Sequence, residues 1–243
     1  MACLNACDVV ILAGGQGSRL RPVFPSSPKA MLPVNDEPFV RYLIEQVNSF
    51  GARRVILALG HLAELVQTYV ASQAWGALNI VTAVEPTPLG TGGALRAVLP
   101  LLESEVALVM NGDSFIRVDL CRFLEFHHAR AAALSMVLTS VPNVDRYGVV
   151  ETNEEGLVTS FLEKQTGRSG GSINAGLYLI NQAVIRTIPP DHPVSLEEDV
   201  FPSFCHRGFY ALKGDFPFLD IGTPESCHLA RAFFRDQERV HDH

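Results

Sequence analysis

A glycine-rich segment with two arginines follows a short apolar run near the start of the chain. It reads Ala13-Gly-Gly-Gln-Gly-Ser-Arg-Leu-Arg-Pro22, and Lys29 follows it. Glycines directly after a buried strand allow positive φ and let a ligand approach the main chain, and their N–H groups can cradle phosphate. Three cations beside such a loop match the charge of a triphosphate. The segment therefore predicts a nucleotide phosphate site, with a structural turn bearing solvated arginines as the alternative.

Two familiar phosphate-binding loops are excluded by single residues. A Walker loop ends in Gly-Lys-Ser/Thr, whereas Gly17 is followed here by Ser18 and Arg19. A dinucleotide loop of the form G-x-G-x-x-G requires glycine where this chain has Leu20. The second exclusion argues against a dehydrogenase.

Two aspartates follow apolar, strand-like runs. Asp113 comes after residues 106–110, and Asp220 ends the run 216–220. Ligands bind outside the carboxyl ends of the strands in an open parallel sheet. If both strands run parallel, the two carboxylates face the same crevice as the glycine loop, and they suit Mg²⁺. The alternative is that each aspartate caps a turn or a helix.

Glu85 stands between a strand-like run and a second glycine-rich segment, Leu89-Gly-Thr-Gly-Gly93. A carboxylate there can accept two hydrogen bonds from guanine, through N1–H and the exocyclic amine. Uracil or thymine offers only one donor, flanked by carbonyls that repel the carboxylate. Glu85 therefore favours a guanine nucleotide, with a solvated loop glutamate as the alternative.

Three polar segments in the second half carry groups that bind sugars and phosphates. They are Arg146-Tyr-Gly148, Glu163-Lys164 and Asn174-Ala-Gly176. Glutamate and asparagine bind sugar hydroxyls, and lysine is a point charge for a phosphate. Taken alone, Glu163-Lys164 is equally typical of a surface ion pair.

The first half alternates strand-like and helix-like segments, which predicts right-handed βαβ units and a mostly parallel sheet. Strands are predicted at 9–13, 55–59, 79–84 and 106–110, and helices at 38–50, 62–70 and 92–99. A further helix after Leu120 contains His127 and His128, which we interpret as structural or solvated because adjacent helical residues do not share a face.

The second half has strand-like segments with few helices between them. They lie at 134–141, 147–151, 158–163 and 173–180. Adjacent strands without crossover helices are usually antiparallel, which predicts an appended, mostly antiparallel layer. The run 216–220 is expected to return to the main sheet, and a closing helix is expected over 223–234, with Thr223 as N-cap and Pro224 at its first position.

Composition sets the broad class. The chain has 243 residues, 47% of them hydrophobic, and a net charge of −7. The hydrophobic content is enough to bury a large core. The negative net charge argues against a protein whose main function is to bind nucleic acid. Neither a secretory signal nor a bilayer span is legible. The five cysteines form no zinc pattern, and an odd number of them predicts a reduced, cytoplasmic setting.

The ordered set of motifs resembles the sugar-phosphate nucleotidyltransferase family over almost the whole chain. The matching segments are Leu12-Ala-Gly-Gly-Gln-Gly-Ser-Arg-Leu-Arg-Pro22, Pro28-Lys29, Leu89-Gly-Thr-Gly-Gly-Ala94, Asn111-Gly-Asp113, Arg146-Tyr-Gly-Val149, Phe161-Leu-Glu-Lys164, Ile173-Asn-Ala-Gly-Leu-Tyr178 and Asp220-Ile-Gly222. Within the family, Ser195-Leu-Glu-Glu-Asp199 and Asp220-Ile-Gly-Thr-Pro-Glu225 are most similar to the short D-glycero-D-manno-heptose 1-phosphate guanylyltransferases.

The resemblance implies a fold and a division of labour. The fold is α/β, a Rossmann-like three-layer sandwich with a mostly parallel mixed sheet and a small antiparallel sugar-binding layer. One domain, residues 1–243, would contain a nucleotide-binding part (about 1–133), a sugar-phosphate-binding part (about 134–215) and a metal-ligand strand with a closing helix (216–243).

The resemblance also implies a role for each matching residue. Mg²⁺ is bound by Asp113 and Asp220, and the catalytic residues are Arg19, Lys29, Asp113 and Lys164. The sugar phosphate is held by Tyr147, Gly148, Glu163, Lys164 and Asn174. The nucleotide is held by Leu12, Ala13, Gly14, Gly15, Gly17, Ser18, Arg19, Lys29, Glu85, Gly90, Thr91, Asn111 and Gly112. Ala30 and Gln165 depart from the family, which often has proline at both positions.

The implied reaction transfers a nucleoside monophosphate from an NTP to a sugar 1-phosphate and releases pyrophosphate. GTP and D-glycero-D-manno-heptose 1-phosphate are the favoured substrates, giving GDP-heptose for cell-surface polysaccharide synthesis. UTP or dTTP with a muramate, glucose or mannose 1-phosphate is one alternative, and a non-catalytic nucleotide-binding regulatory module is another. No nucleic-acid or membrane partner is expected, and the apolar content permits a homodimer without requiring one.

Overall fold

A computed structural model describes residues 2–15, 27–144, 147–162 and 169–238. Its strands are β1 (Asp8–Ala13), β2 (Pro33–Val34), β3 (Glu37–Pro38), β4 (Arg54–Leu59), β5 (Asn79–Val84), β6 (Val106–Asn111), β7 (Ser114–Ile116), β8 (Leu134–Asn143), β9 (Val149–Thr152), β10 (Val158–Leu162), β11 (Ser169–Asn181), β12 (Phe209–Gly214) and β13 (Phe218–Asp220). Its α-helices are α1 (Phe39–Ser49), α2 (Ala63–Ser72), α3 (Gly90–Val98), α4 (Leu120–Ala129), α5 (Gln182–Ile185), α6 (Phe201–Phe204) and α7 (Pro224–Glu238). Short 3₁₀ turns span Lys29–Met31 and Leu99–Leu101, and a π-helical turn spans Leu196–Val200.

The centre of the main sheet is parallel, in the order β6-β1-β4-β5. Strands β1, β4 and β6 are apolar at almost every position because both sheet faces are covered there, whereas the edge strand β5 is only partly buried. Alternate residues of β1 belong to different hydrophobic clusters: Val9 and Ile11 pack on one side and Val10 on the other. The predicted helices and strands of the first half all form, with slightly different bounds.

Local sequence explains where the helices begin and end. The buried positions of α1, which include Phe39, Leu43 and Val47, recur at helical spacing. Gly51, at φ 79°, follows the helix, where a residue with a Cβ would meet Ala2. Asp119 caps α4 by accepting hydrogen bonds from the backbone N–H groups of Cys121 and Arg122.

The antiparallel strands extend the main sheet and do not form a separate layer. The described part of the chain contributes nine strands to this sheet. The long strand β11 pairs antiparallel with β6, β8 and β9. It can do so because its 13 residues run past the end of β6. The prediction of a mixed α/β fold with a largely parallel centre is confirmed, and the expected appended layer is corrected to a continuation of one sheet.

The run 216–220 does not return to the main sheet. Its strand, β13, pairs antiparallel with β7 in a separate two-stranded sheet. Pro217 has no N–H to give to a central strand, and its carbonyl accepts a hydrogen bond from Arg117 N at 2.9 Å. The strand that does return is β12, which sequence analysis missed and which pairs parallel with β8.

The expectation of fully reduced cysteines was wrong for one pair. Cys3 and Cys121 form a disulfide with Cα atoms 5.4 Å apart. The N-terminal segment reaches α4 because buried Leu4 anchors it, donating from its backbone N–H to the carbonyl of Phe50. Cys7 and Cys205 are free thiols. Across the described ranges, no helix is both long enough and apolar enough to cross a membrane.

Candidate active site

A cavity of about 280 Å³ opens where β1, β5 and β6 end and α3 begins. This is the carboxyl edge of the parallel strands, where open α/β sheets bind ligands. The predicted site residues that line it are Leu12, Ala13, Gly14, Gly15, Lys29, Glu85, Gly90, Thr91, Asn111, Gly112 and Asp113. Pro88, Ala94 and Ala30 complete the lining. Ala30, where the family often has proline, is buried.

Two glycines of this cavity lie where a side chain has no room. A Cβ on Gly14 would lie 2.7 Å from Glu85 Oε1, and a Cβ on Gly112 would lie 2.7 Å from the carbonyl oxygen of Leu12. Gly112 therefore lets the ends of β1 and β6 approach one another closely, and Gly14 leaves room for the Glu85 carboxylate.

Glu85 is held at the cavity wall by the end of β4 and by its own loop. Its backbone N–H donates to the carbonyl of Leu59 at 2.9 Å, and its Oε2 accepts from Leu89 N at 3.2 Å. Partial burial raises the pKa of the Glu85 carboxyl, and the hydrogen bond from Leu89 lowers it in part. The carboxylate is thus fixed in orientation and keeps acceptor capacity for a ligand.

Lys29 and Asp113 form an ion pair across the cavity, with Lys29 Nζ 2.8 Å from Asp113 Oδ2. Lys29 begins the 3₁₀ turn after Pro28, and Asp113 follows β6. Their side chains are 25% and 38% exposed. An ammonium group has three N–H donors, so Lys29 keeps donors for a phosphate while it holds the aspartate.

Asp220 lies beside Asp113, although not for the reason expected. The prediction required parallel strands, but β13 runs antiparallel to β7 and places Asp220 opposite Ser114. Ile221 N then donates to the carbonyl of Asp113 at 2.9 Å, and Asp220 Oδ1 accepts from Gly222 N.

These two carboxylates fit a divalent cation that takes most of its ligands from water and substrate. Within residues 2–15, 27–144, 147–162 and 169–238, no group of three or more His, Cys, Asp or Glu is placed to hold a metal. Mg²⁺ prefers one or two carboxylates together with phosphate oxygens, so a pair of aspartates at the edge where phosphate is predicted to bind matches it.

The predicted sugar-side residues that the structure describes meet at the neighbouring part of β11. Asn174 N donates to the carbonyl of Gly148 at 3.5 Å, and the ring of Tyr147 packs edge-on against Phe218 at 5.7 Å. Gly176, at φ 74°, lies so close to β7 that a Cβ would be 2.4 Å from Ser114 Oγ. The predicted sugar-side residues therefore adjoin Asp113 and Asp220, although Tyr147, Gly148 and Asn174 do not line the 280 Å³ cavity.

Several predicted residues lie outside the described residues. On the nucleotide side they are Gly17, Ser18 and Arg19, and on the sugar side they are Arg146, Glu163 and Lys164. Their roles remain predictions.

Sequence analysis missed Glu197 and Tyr178, which lie outside the cavity lining and hydrogen-bond to the predicted site residues Thr91 and Asn174. Glu197 accepts hydrogen bonds from Thr91, Ser195 and Tyr178. The segment 195–199 was noted only for its resemblance to a subfamily. The pattern Ser195-x-x-Glu198 is a capping signal that marks the start of a helical turn, but it gives no sign that Glu197 points back toward α3.

A nucleotidyl transferase family model matches residues 8–237. The chain belongs to the nucleotidyl transferase family. A relative in this family, the D-glycero-alpha-D-manno-heptose 1-phosphate guanylyltransferase of Aneurinibacillus thermoaerophilus, is 34% identical over 92% of this chain and 96% of its own length. The mannose-1-phosphate guanylyltransferase of Mycobacterium tuberculosis is 36% identical over 97% of this chain and 70% of its own length.

The fold of this nucleotidyl transferase matches solved structures of the family. The crystal structure of HddC from Yersinia pseudotuberculosis complexed with GMP-PN aligns with a TM-score of 0.83 and 34% identity, covering 94% of this chain and 99% of that chain. The chain is therefore a nucleotidyl transferase whose relatives include sugar-1-phosphate guanylyltransferases. The predicted family, fold and enzyme class are confirmed.

Proposed function

We propose that this nucleotidyl transferase converts GTP and D-glycero-D-manno-heptose 1-phosphate to GDP-heptose and pyrophosphate, for cell-surface polysaccharide synthesis. The observation that carries the choice of GTP is Glu85, a carboxylate fixed by Leu89 N at the wall of the cavity. It matches the two donors on one edge of guanine. The heptose is supported by relatives that cover the chain nearly end to end, such as that of A. thermoaerophilus.

The reaction is an in-line displacement at the α-phosphorus. An oxygen of the sugar 1-phosphate attacks, the bond to the β-phosphate oxygen breaks, and pyrophosphate leaves with that electron pair. The nucleophile is already an anion at neutral pH, so no general base is required. The task of the protein is to bring two polyanions together and to neutralise their charge.

The residues of this chain divide that task. Main-chain N–H groups at Gly14 and Gly15 bind the phosphates, and we assign the same task to Gly17, Ser18 and Arg19, which lie outside the described residues. Lys29 donates to the nucleotide phosphates while it remains paired with Asp113. Gly90 and Thr91 present the start of α3 to the nucleotide. On the sugar side, Lys164 binds the acceptor phosphate, and Tyr147, Gly148, Glu163 and Asn174 hold the sugar.

Nucleotidyltransferases of this family generally use a divalent metal ion, and we propose Mg²⁺ held by Asp113 and Asp220. When bound, Mg²⁺ neutralises phosphate charge and orients the reacting oxygens.

We retain the division into a nucleotide part (about 1–133), a sugar part (about 134–215) and a metal-ligand strand with closing helix (216–243). The substrates are soluble, so the reaction needs neither a membrane nor a nucleic acid, and we place it in the cytoplasm. A homodimer is compatible with it.

The test is pyrophosphate release with Mg²⁺ from a matrix of GTP, UTP, dTTP and ATP against heptose, mannose, glucose, muramate and N-acetylglucosamine 1-phosphates. We expect turnover with GTP and the heptose. Turnover with UTP or dTTP alone would discard the role of Glu85. If no substrate pair gives pyrophosphate release but the protein still binds nucleotide, a non-catalytic regulatory module would be favoured.

A second substrate has its own support. The mannose-1-phosphate guanylyltransferase of M. tuberculosis matches this chain at 36% identity. Both sugars have the manno configuration, and Glu85 suits GTP in either case. The ratio of kcat/KM for the heptose and mannose 1-phosphates separates the two proposals.

A further inference from the structure

A single carboxylate, that of Glu197, joins the nucleotide side of the site to its sugar side. Its Oε2 lies 2.8 Å from Thr91 Oγ1 and 3.1 Å from Ser195 Oγ, and its Oε1 lies 3.5 Å from the hydroxyl of Tyr178. Thr91 lines the nucleotide cavity. Tyr178 is fully buried and belongs to β11, the strand that carries Asn174.

The direction of each hydrogen bond follows from what else each hydroxyl binds. Thr91 Oγ1 accepts from Leu196 N at 2.8 Å, and Ser195 Oγ accepts from Glu198 N at 3.1 Å. The hydroxyl of Tyr178 accepts from Asn174 Nδ2 at 2.8 Å. Each oxygen already receives an N–H, so all three hydroxyl protons point to Glu197, which as a carboxylate only accepts.

The network also fixes Asn174. Its Oδ1 accepts from Gly176 N at 2.9 Å, and its Nδ2 donates to Tyr178. The amide is therefore oriented, with one N–H and one lone pair left for a ligand. Burial raises the pKa of Tyr178 well above its ordinary value, and the charge of Glu197 raises it further. The phenol stays protonated, so it can serve as the donor to Glu197.

We propose that Glu197 is a positioning residue that holds Thr91 on the nucleotide side and the Tyr178–Asn174 pair on the sugar side in one arrangement. This inference rests on the proposed function, because it takes both halves of the site to be substrate sites. It assigns Glu197 no contact with the reacting atoms. Its consequence is that removing one carboxylate outside the cavity weakens the handling of both substrates.

Glutamine at this position should affect the two sides unequally. Its single oxygen best replaces Oε2, which accepts the two shorter hydrogen bonds from Thr91 and Ser195. The amide N–H₂ then faces the hydroxyl proton of Tyr178, where two donors oppose each other. Glu197→Gln should therefore disturb the sugar side more than the nucleotide side, whereas Glu197→Ala should disturb both.

The experiment compares Glu197→Gln, Glu197→Ala and the matched control Glu198→Gln. Glu198 is exposed, and its contact with this network is through its backbone N–H. KM is measured separately for GTP and for the sugar 1-phosphate that wild type uses, together with the thermal unfolding midpoint. For Glu197→Gln we expect the sugar-phosphate KM to rise roughly 10-fold and the GTP KM to rise less. For Glu197→Ala we expect both KM values to rise roughly 10-fold or more, and Glu198→Gln should behave as wild type.

A double-mutant cycle provides the second measurement. Thr91→Val should raise the GTP KM in wild type but add little in the Glu197→Ala background, because the contact is already lost. Full additivity overturns the proposal. So do unchanged KM values in both Glu197 variants, or a loss of thermal stability with both KM values intact, which indicates a purely structural residue. An inactive wild type and Glu198→Gln would instead count against the proposed function.

Discussion

Each end of the parallel strands has an aspartate paired with a cation, and the two pairs differ in burial and bonding. At the amino end, Asp8 is 5% exposed and its carboxylate accepts from Glu103 N, Ser104 N and Ser104 Oγ, with Arg54 at 3.7 Å. At the carboxyl end, the Asp113 side chain is 38% exposed, and Lys29 at 2.8 Å is its partner among the described side chains.

This difference indicates that Asp8 contributes to the stability of the fold, whereas Asp113 is available for chemistry. The carboxylate of Asp8 is buried, and its hydrogen bonds offset the cost of desolvating the charge. Its Oδ2 accepts all three of these hydrogen bonds, and its Oδ1 faces Arg54. The carboxylate of Asp113 keeps acceptor capacity at the edge where we propose that phosphate binds. An aspartate paired with a cation therefore stabilises the fold at one end of the strands, whereas at the other end such an aspartate can bind a ligand.

The largest expected effect is on stability, from the disulfide that ties the segment before β1 to α4. It closes a loop with a sequence separation of 118, so its loss should lower the free energy of unfolding by about 4 kcal/mol. Denaturant unfolding of Cys3→Ser against Cys205→Ser checks this, since Cys205 is a free thiol. Equal stability of the two variants would contradict a stabilising role for the disulfide.

Asp8→Asn should cost about 3 kcal/mol of unfolding free energy, because it removes the charge that faces Arg54 and leaves buried donors poorly matched. The kcat and KM of the folded variant should stay at wild-type values. A selective loss of turnover would break the separation between the two ends.

Asp113→Asn should have the reverse profile. We expect the rate to fall roughly 100-fold or more because the proposed metal loses a carboxylate ligand, with little change in unfolding free energy. Steady-state rates across a Mg²⁺ titration, measured beside denaturant melts, test this. Turnover like that of wild type would remove Asp113 from the metal site.

Glu85→Gln should reduce the preference for GTP roughly 10-fold, since an amide N–H₂ opposes the guanine donors. Because burial raises the pKa of Glu85, the wild-type KM for GTP should rise as the pH falls through that raised value and the carboxyl becomes protonated. The variant should lack this pH dependence. Identical profiles for wild type and variant would remove Glu85 from base recognition.

The smallest effect belongs to His127, at the same end as Asp8. Its ring nitrogens contact Ser135 Oγ at 2.8 Å and Asn181 Oδ1 at 3.0 Å, and burial lowers its pKa. Below about pH 6.5 the histidine is protonated in the unfolded state but stays neutral in the folded state until the pH reaches its lowered pKa. The free energy of unfolding should therefore fall as the pH drops from about 6.5 toward that lowered pKa. His127→Gln should flatten that slope in pH-dependent unfolding. If wild type and His127→Gln lose stability in parallel as the pH falls, His127 is not the source of the pH dependence.

Local sequence sufficed to predict which residues of the first half line the cavity, because their chemical type and their position after a strand coincide there. The glycines, Glu85 and Asp113 each directly follow an apolar strand, and parallel strands bring their carboxyl ends to one edge. The same logic failed for Asp220, where the adjacency to Asp113 is correct but β13 pairs antiparallel in its own small sheet.

The features that sequence analysis missed depend on distant pairing. The sheet pairs β12 with β8 across about 75 residues, and Cys3 with Cys121 is one of several pairings that five cysteines allow. Glu197 meets Thr91 across 106 residues. Nothing in the local spacing around 195–199 indicates which strand or helix its side chain will face.

The antiparallel continuation of the sheet also sets an order of assembly during synthesis. The strands β1, β4, β5 and β6 lie within the first 111 residues and can pair while the rest of the chain is still being made. Until β11 emerges more than 50 residues later, the far side of β6 keeps its backbone N–H and C=O groups unpaired. An apolar strand with an open edge is a template for pairing with another chain, so the interval between β6 and β11 is when the nascent protein is most exposed to aggregation.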